Sequence, residues 1–273
     1  MLTEAAKNRI KAATPARLRQ VLQPRAGRAY GIGIEKTGTT TLARLFRPSA
    51  RSAHEPDWID TVAQMHAHAH GAIGDDAYRQ YLCARDRRLW LDLESSCLMS
   101  FCARDLAELF PEARFVLTVR GCKSWLKSVI NHHKTHKRGD PSMNRWYGLS
   151  YRPDAFAYSA HDRVLEAHDL FPLDCFLRYW AGSIDRALTS VPGERLLIVR
   201  THELFDQAQA IARFIGLRAP SQGDGARPAN AAQRDHKILE QIDGDYLSER
   251  IDALCAPHMQ RFFPARAAAC QEA

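Results

Sequence analysis

The segment Ala29-Tyr30-Gly31-Ile32-Gly33-Ile34 is a short apolar run that leads straight into Glu35-Lys36-Thr37-Gly38-Thr39-Thr40. Thr39 to Phe46 then places Leu42, Leu45 and Phe46 on one helical face, and Pro48 ends it. A strand that passes through a glycine-bounded loop into a helix limits the possible folds more than any other feature of this chain. It is the opening of a βαβ unit. The glycines let the backbone approach an anion, and the first amides of the helix face it. The rest of the chain keeps the alternation. Ser49 to Ala53 reads as a second strand closing at His54-Glu55-Pro56, and residues 57–88 as helices broken by Gly71 and Gly74. Leu89-Trp90-Leu91-Asp92-Leu93 reads as a third strand, and Leu98 to Phe110 as a helix ended by Pro111. Arg114-Phe115-Val116-Leu117-Thr118-Val119 is the clearest strand, apolar and β-branched enough to be covered on both faces. Lys123 to Lys134 follows as a helix. Residues 135–172, polar, aromatic and rich in turn formers, read as an insertion or lid. Cys175 to Thr189 is a helix, Leu196 to Val199 a strand and Glu203 to Ile215 a helix capped by Gly216. A Gly/Pro/Ala loop over 217–231 and a last helical segment complete the chain. The expected fold is α/β, a P-loop-like parallel sheet flanked by helices with a lid insertion.

With 273 residues, 45% hydrophobic and 25% charged, the chain fits one soluble domain. The net charge is +7, but Lys7, Arg9, Lys11, Arg17, Arg19, Arg25 and Arg28 stand against one acid, Glu4, in residues 1–28. The remainder is nearly neutral. A binder of nucleic acid would spread its basic charge over the domain. The division implied is a basic N-terminal arm, 1–28, ahead of a domain spanning 29–273. The arm reads as a membrane-surface helix, an organelle-targeting segment or a solvated tail. No run of about 18 apolar residues is present, and the N-terminus lacks an apolar signal core. The seven cysteines are scattered, with no zinc-ligand spacing, which suits reduced thiols in the cytoplasm. Membrane association through the arm is the one departure from that placement. The abundance of Ala and Arg suits a GC-rich bacterial source.

The spacing Gly33-x4-Gly38 mimics the Walker A loop of nucleoside triphosphatases, but that loop needs Lys at the next position, where this chain has Thr39. Its lysine, Lys36, comes three residues earlier. Lys36-Thr37-Gly38-Thr39-Thr40 resembles the loop by which sulfotransferases bind 3′-phosphoadenosine 5′-phosphosulfate (PAPS). By that resemblance Lys36 steadies charge on the leaving phosphate. The amides of Thr37 to Thr40, with the Thr39 and Thr40 hydroxyls, hold the phosphosulfate end. The family also pairs an Arg at a strand end with a Ser eight residues on to grip the 3′-phosphate. Arg120 and Ser128 match that pair. Arg offers a rigid fork of donors to a phosphate, and Ser128 adds a hydroxyl from the following helix. Lys123 and Trp125 lie between them; Lys123 could add charge near the nucleotide, and Trp125 reads as core rather than as an adenine platform. Leu196 to Arg200, Thr201-His202-Glu203-Leu204 and Ala212-Arg213-Phe214-Ile215-Gly216-Leu217 resemble the family's late strand, acidic turn and closing helix. The resemblance runs from about residue 29 to 220. It implies that Arg227, with Asn230, brings a basic residue over the nucleotide.

Sulfuryl transfer to a hydroxyl leaves a proton to be taken by a carboxylate or imidazole. One branch of the family uses a His after a middle strand; others use a Glu shortly after the phosphate loop. Glu55 lies 19 residues beyond Lys36, at a strand end of the kind that lines the ligand crevice. It is the first candidate for the base, with His54 beside it. Neighbours on a strand point oppositely, so only one of the two is expected to face the site. Asp92 and Glu94 occupy the middle-strand region and remain alternatives. His66 and His70 share a helical face that could hold a metal, although no metal is expected in the reaction. His132-His133-Lys134, with His136, Lys137 and Arg138, read as a basic patch beyond Ser128. The expected activity is transfer of sulfuryl from PAPS to a hydroxyl on a carbohydrate, lipid or small molecule. The rivals are a P-loop kinase and a non-catalytic nucleotide-fold protein that binds a membrane or partner through its arm.

Overall fold

A computed structural model describes residues 20–136, 140–220 and 235–264. Five short strands form one parallel sheet: β1 (Ala29–Gly31), β2 (Ser52–His54), β3 (Leu93–Ser95), β4 (Arg114–Val119) and β5 (Leu196–Arg200), in the order β2-β3-β1-β4-β5. β1 is central. Its residue Ala29 lies level with Leu93 on one side and with Arg114 on the other. The chain reaches β3 by way of the edge strand β2, then crosses β1 to enter β4. The direction of winding therefore reverses at β1, and ligands bind outside the carboxyl end of such a switch point.

Helices cover both faces. Numbered from the one after β1, they are α1 (Thr39–Phe46), α2 (Trp58–Ala69), α3 (Asp75–Leu89), α4 (Ala103–Leu109), α5 (Cys122–Thr135), α6 (Pro141–Ser150), α7 (Arg163–Ala167), α8 (Leu173–Ser190), α9 (Ala208–Ile215) and α10 (Gly244–Phe262). β4 shows why the sheet is buried on two sides. Phe115, Leu117 and Val119 enter the larger core with α5, α8 and α10, while Val116 enters a smaller core with Leu42, Phe46 and Ile211 of α1 and α9. Among the described residues no helix is long and apolar enough to cross a membrane.

Several boundaries depart from the sequence reading. β2 begins at Ser52 and β3 at Leu93, so Leu89 belongs to α3 and Trp90 ends it in a left-handed turn, φ 49°. The expected helix 98–110 is a 3-10 turn over Cys97–Ser100 followed by α4. Thr201–Glu203 form a 3-10 turn, 204–207 are turn, and α9 starts at Ala208. Among the described residues between α5 and α8, Trp146, Tyr147 and Tyr151 are buried. Residues 1–19 and the loop carrying Arg227 and Asn230 lie outside the described residues. Arg25 and Arg28, assigned above to the arm, are tied to the folded part: both pair with Asp86 of α3, and Arg25 also lies over Trp90.

Candidate active site

Gly33 sets the shape of the loop after β1. A Cβ at this position would stand 1.9 Å from Thr118 Oγ1 on β4 and 2.5 Å from Thr37 Oγ1, so no larger residue fits. The Thr37 hydroxyl donates to the Ile34 carbonyl at 2.6 Å; having one proton, it accepts from the Thr118 hydroxyl at 2.9 Å. Thr201, just past β5, places its hydroxyl 2.6 Å from the Thr37 carbonyl and 3.0 Å from that of Val119. The loop is thus fastened to β4 and β5. Two residues in it have left-handed backbone, Lys36 at φ 63° and Gly38 at φ 104°; at Gly38 a Cβ would also meet Leu204 at 2.7 Å. Burial, then the neighbouring Arg120, pull the Lys36 amine below its ordinary value, and Glu35 opposes them. Of the two threonines expected to offer hydroxyls, Thr39 is buried, and Thr40 has its Oγ1 2.9 Å from His54 Nε2.

His54 ends β2 and Glu55 follows it. His54 Nδ1 lies 2.8 Å from the Ser95 carbonyl, which can only accept. This nitrogen therefore carries a proton, and Nε2 faces the Thr40 hydroxyl. Glu55 has left strand geometry, φ 49°, and this corrects the expectation that the two neighbours diverge. His54 Nε2 and Glu55 Oε2 are 3.6 Å apart. The Cys97 thiol donates to Glu55 Oε1 at 3.3 Å; burial, then Glu55, push that thiol up and keep it protonated. The other two carboxylates are engaged elsewhere. Asp92 precedes β3 and accepts from the Arg51 guanidinium and from the amides of Ala26 and Arg51. Glu94 forms a buried two-pronged pair with Arg85 at 2.6 and 2.7 Å. Arg85 also donates to the Pro56 carbonyl at 2.7 Å, which fixes the turn that presents Glu55.

β4 ends at Arg120. Its Nη1 reaches the Lys36 carbonyl at 3.4 Å and its Nε lies 3.3 Å from Ser124 Oγ, while the Arg120 carbonyl accepts from Trp180 of α8 at 3.0 Å. The guanidinium is thereby held beside the loop. Ser128 lies two turns along α5. Trp125 is fully buried and donates to the Glu35 carbonyl at 2.9 Å, so it is core, whereas Lys123 is exposed.

The sequence reading missed the Glu35 side chain. Tyr151 and Tyr179 both donate to its carboxylate, Tyr179 at 2.7 Å, and His133 Nε2 lies 3.8 Å away. Burial pushes Glu35 up, but His133 and the two hydroxyls outweigh it and hold the carboxyl below its ordinary value. His133 is buried among Tyr147, Tyr151, Phe171 and Phe176, so the expected basic patch loses that member; residues 137–139 lie outside the described residues. His66 and His70 stack with ring centres 4.0 Å apart. Among the described residues no three His, Cys, Asp or Glu side chains converge on a metal position.

A glycine-bounded loop at the switch point of a parallel sheet, with a histidine and a carboxylate across from it, defines a P-loop-like α/β fold. The chain belongs to the sulfotransferase family, whose domain model matches residues 30–224. No curated protein matches it. Among solved structures it is similar to a sulfotransferase from Alicyclobacillus acidocaldarius, at 14% identity over 84% of this chain and 94% of that one, TM-score 0.43. It is also similar to the sulfotransferase domain of the Synechococcus PCC 7002 olefin synthase, at 13% identity over 81% and 82% of the two chains, TM-score 0.39. A third is the sulfotransferase domain from the curacin biosynthetic pathway, at 11% identity over 84% and 91%, TM-score 0.38.

Proposed function

We propose that this sulfotransferase uses PAPS as donor and an acceptor hydroxyl as nucleophile. The observation that carries the reading is the direct junction of the two anion-binding groups: Arg120 reaches the backbone of Lys36 itself. A ligand with one charged group at the loop and another beside the end of β4 spans these two points, as the 5′ and 3′ phosphates of one ribose do. Lys36 and the loop amides take the phosphosulfate; Arg120 and Ser128 take the 3′-phosphate. The acceptor oxygen attacks sulfur in line. The new O–S bond forms as the bond from sulfur to the 5′-phosphate oxygen breaks, and the electron pair passes to that oxygen, where Lys36 balances it. The acceptor proton passes to Glu55. His54, steadied by the Ser95 carbonyl and by Thr40, lies alongside and stabilises the turn that carries the base. The products are the sulfate ester and adenosine 3′,5′-bisphosphate.

Calorimetric titration with adenosine 3′,5′-bisphosphate and with AMP tests the donor site. Tighter binding of the bisphosphate, with the preference lost in Arg120→Ala, supports the reading; equal affinities would sink it. With labelled PAPS, Lys36→Ala is expected to lower turnover roughly 10²–10³-fold while the fold is retained. Glu55→Gln is expected to keep bisphosphate binding and lose transfer, and normal transfer in that variant would remove Glu55 from the base position.

A further inference from the structure

Arg186 stands on α8 seven residues beyond Tyr179, two turns along the same helical face. Its guanidinium carbon lies 3.8 Å from the centre of the Phe101 ring. Its Nη1 is closed off from solvent, and among the described residues no acceptor meets it. Arg25 Nε and Arg28 Nε are closed off in the same way, but other nitrogens of those two guanidinium groups meet carboxylates, as do those of the buried Arg85. Burial without a counter-charge pulls Arg186 below its ordinary value, opposed by Tyr179. A guanidinium offers five N–H donors, and a desolvated donor without an acceptor is costly to keep. The residue as a whole is partly open to solvent, and an anionic ligand group meeting it there supplies the counter-charge it lacks.

The surroundings connect Arg186 to the reaction site. Phe101 closes the 3-10 turn that begins at Cys97, the thiol bonded to Glu55. Phe101 meets Trp146 edge-on at 5.0 Å, and Trp146 meets Trp58 edge-on at 5.7 Å. Trp58 stands three residues past Glu55. A run of aromatic contacts thus leads from Trp58, close in sequence to the carboxylate, across the buried Trp146 to Phe101 and the guanidinium, forming a wall in which Trp58, Phe101 and Arg186 are partly open to solvent.

We propose that this wall seats the acceptor and that Arg186 binds an anionic group on it. The substrates are then hydroxyl compounds in which an aromatic or other apolar body carries a carboxylate, phosphate or sulfate. The inference rests on Glu55 facing the acceptor, as argued above. Calorimetry on the full chain, saturated with adenosine 3′,5′-bisphosphate so that the loop and Arg120 are occupied, tests it with 4-hydroxyphenylacetate and its neutral amide as probes. The acid is expected to bind at least about tenfold more tightly than the amide, as a charge-assisted contact does. Arg186→Gln should bring the two to equal affinity, and Arg186→Lys should keep part of the difference while losing the fork. Bisphosphate affinity should stay within about twofold in both variants. Equal binding of acid and amide, no binding of the acid, or an advantage that survives in Arg186→Gln overturns the proposal. If Arg186→Gln fails to fold, Arg186→Lys carries the comparison, and an undiminished preference there counts against it. Failure of the bisphosphate itself to bind instead overturns the donor reading. The acid–amide comparison on the nucleotide-free protein, wild type against Arg186→Gln, then still decides the role of Arg186.

Discussion

His132, on α5, is an imidazole whose titration its surroundings shift downward. Burial, then the charges of His136 and Lys36, bring its imidazole down to about 4, so it is neutral at pH 7. In the unfolded chain the same ring takes a proton near its ordinary value of about 6.5. Between those two values the unfolded state holds a proton that the folded state does not. Stability therefore falls as pH drops from about 6.5 to 4, and this contribution is level above that window. After discounting for its partial exposure, His132 should account for roughly 1–2 kcal/mol between pH 7 and pH 5. Urea melts of wild type and His132→Gln at the two pH values measure it: the variant should lose less stability on acidification, and parallel losses would disprove the assignment. Residue-scale legibility followed sequence distance. Lys36, Thr37 and Gly38 sit in one contiguous strand–loop motif and Arg120 directly follows a clear strand, so each could be singled out from its immediate neighbours. Glu35 could not be read this way, because its donors come from 116 and 144 positions away. Arg186 was missed for the same reason: nothing near it in sequence shows that it lacks a counter-charge.

At the scale of elements, β4 was legible to the residue because both its faces are buried and no competing pattern overlaps it. β3 was displaced because Leu89, Trp90 and Leu91 form an apolar cluster that imitates a strand. In the structure these residues end α3, and Trp90 donates to the Gln23 carbonyl. Local hydrophobicity could not separate the two outcomes; the bond to residue 23 and the Arg51–Asp92 pairing decide it. The connection from α6 to α8 was readable as an insertion but not as a strap. Tyr151, at its start, is fastened to Glu35 beside Lys36, and Tyr179 of α8 donates to the same carboxylate. Removing one of these hydroxyls leaves a buried carboxylate short of a donor. Tyr179→Phe should therefore cost about 1.5–3 kcal/mol, the range for a hydrogen bond to a charged group. In a Glu35→Gln background the same change should cost clearly less. A double-mutant cycle in urea reads the difference. Additive losses would show that Tyr179 stabilises the helix by packing alone and that its hydroxyl does not act through Glu35.

For the whole molecule, the consequence of the topology is that one ligand would touch elements from both halves of the sheet. The loop after β1, the end of β4 and α5 all meet around the switch point, and Thr201 ties β5 to the same loop. A bound nucleotide would then stabilise the domain as a unit rather than a single segment. At a concentration of one hundred times its Kd, adenosine 3′,5′-bisphosphate should add about 2.7 kcal/mol by mass action. In a chain of this length that is a rise in Tm of roughly 5–10 °C. AMP at the same concentration has no group for Arg120 and Ser128 and should give a much smaller rise. Arg120→Ala should bring the bisphosphate down to the AMP value, each rise being measured from the variant's own unliganded melting. Differential scanning calorimetry separates the outcomes. A rise of equal size with both nucleotides would mean that the 3′-phosphate meets no partner at the end of β4, and the two anion-binding points would then serve different ligands.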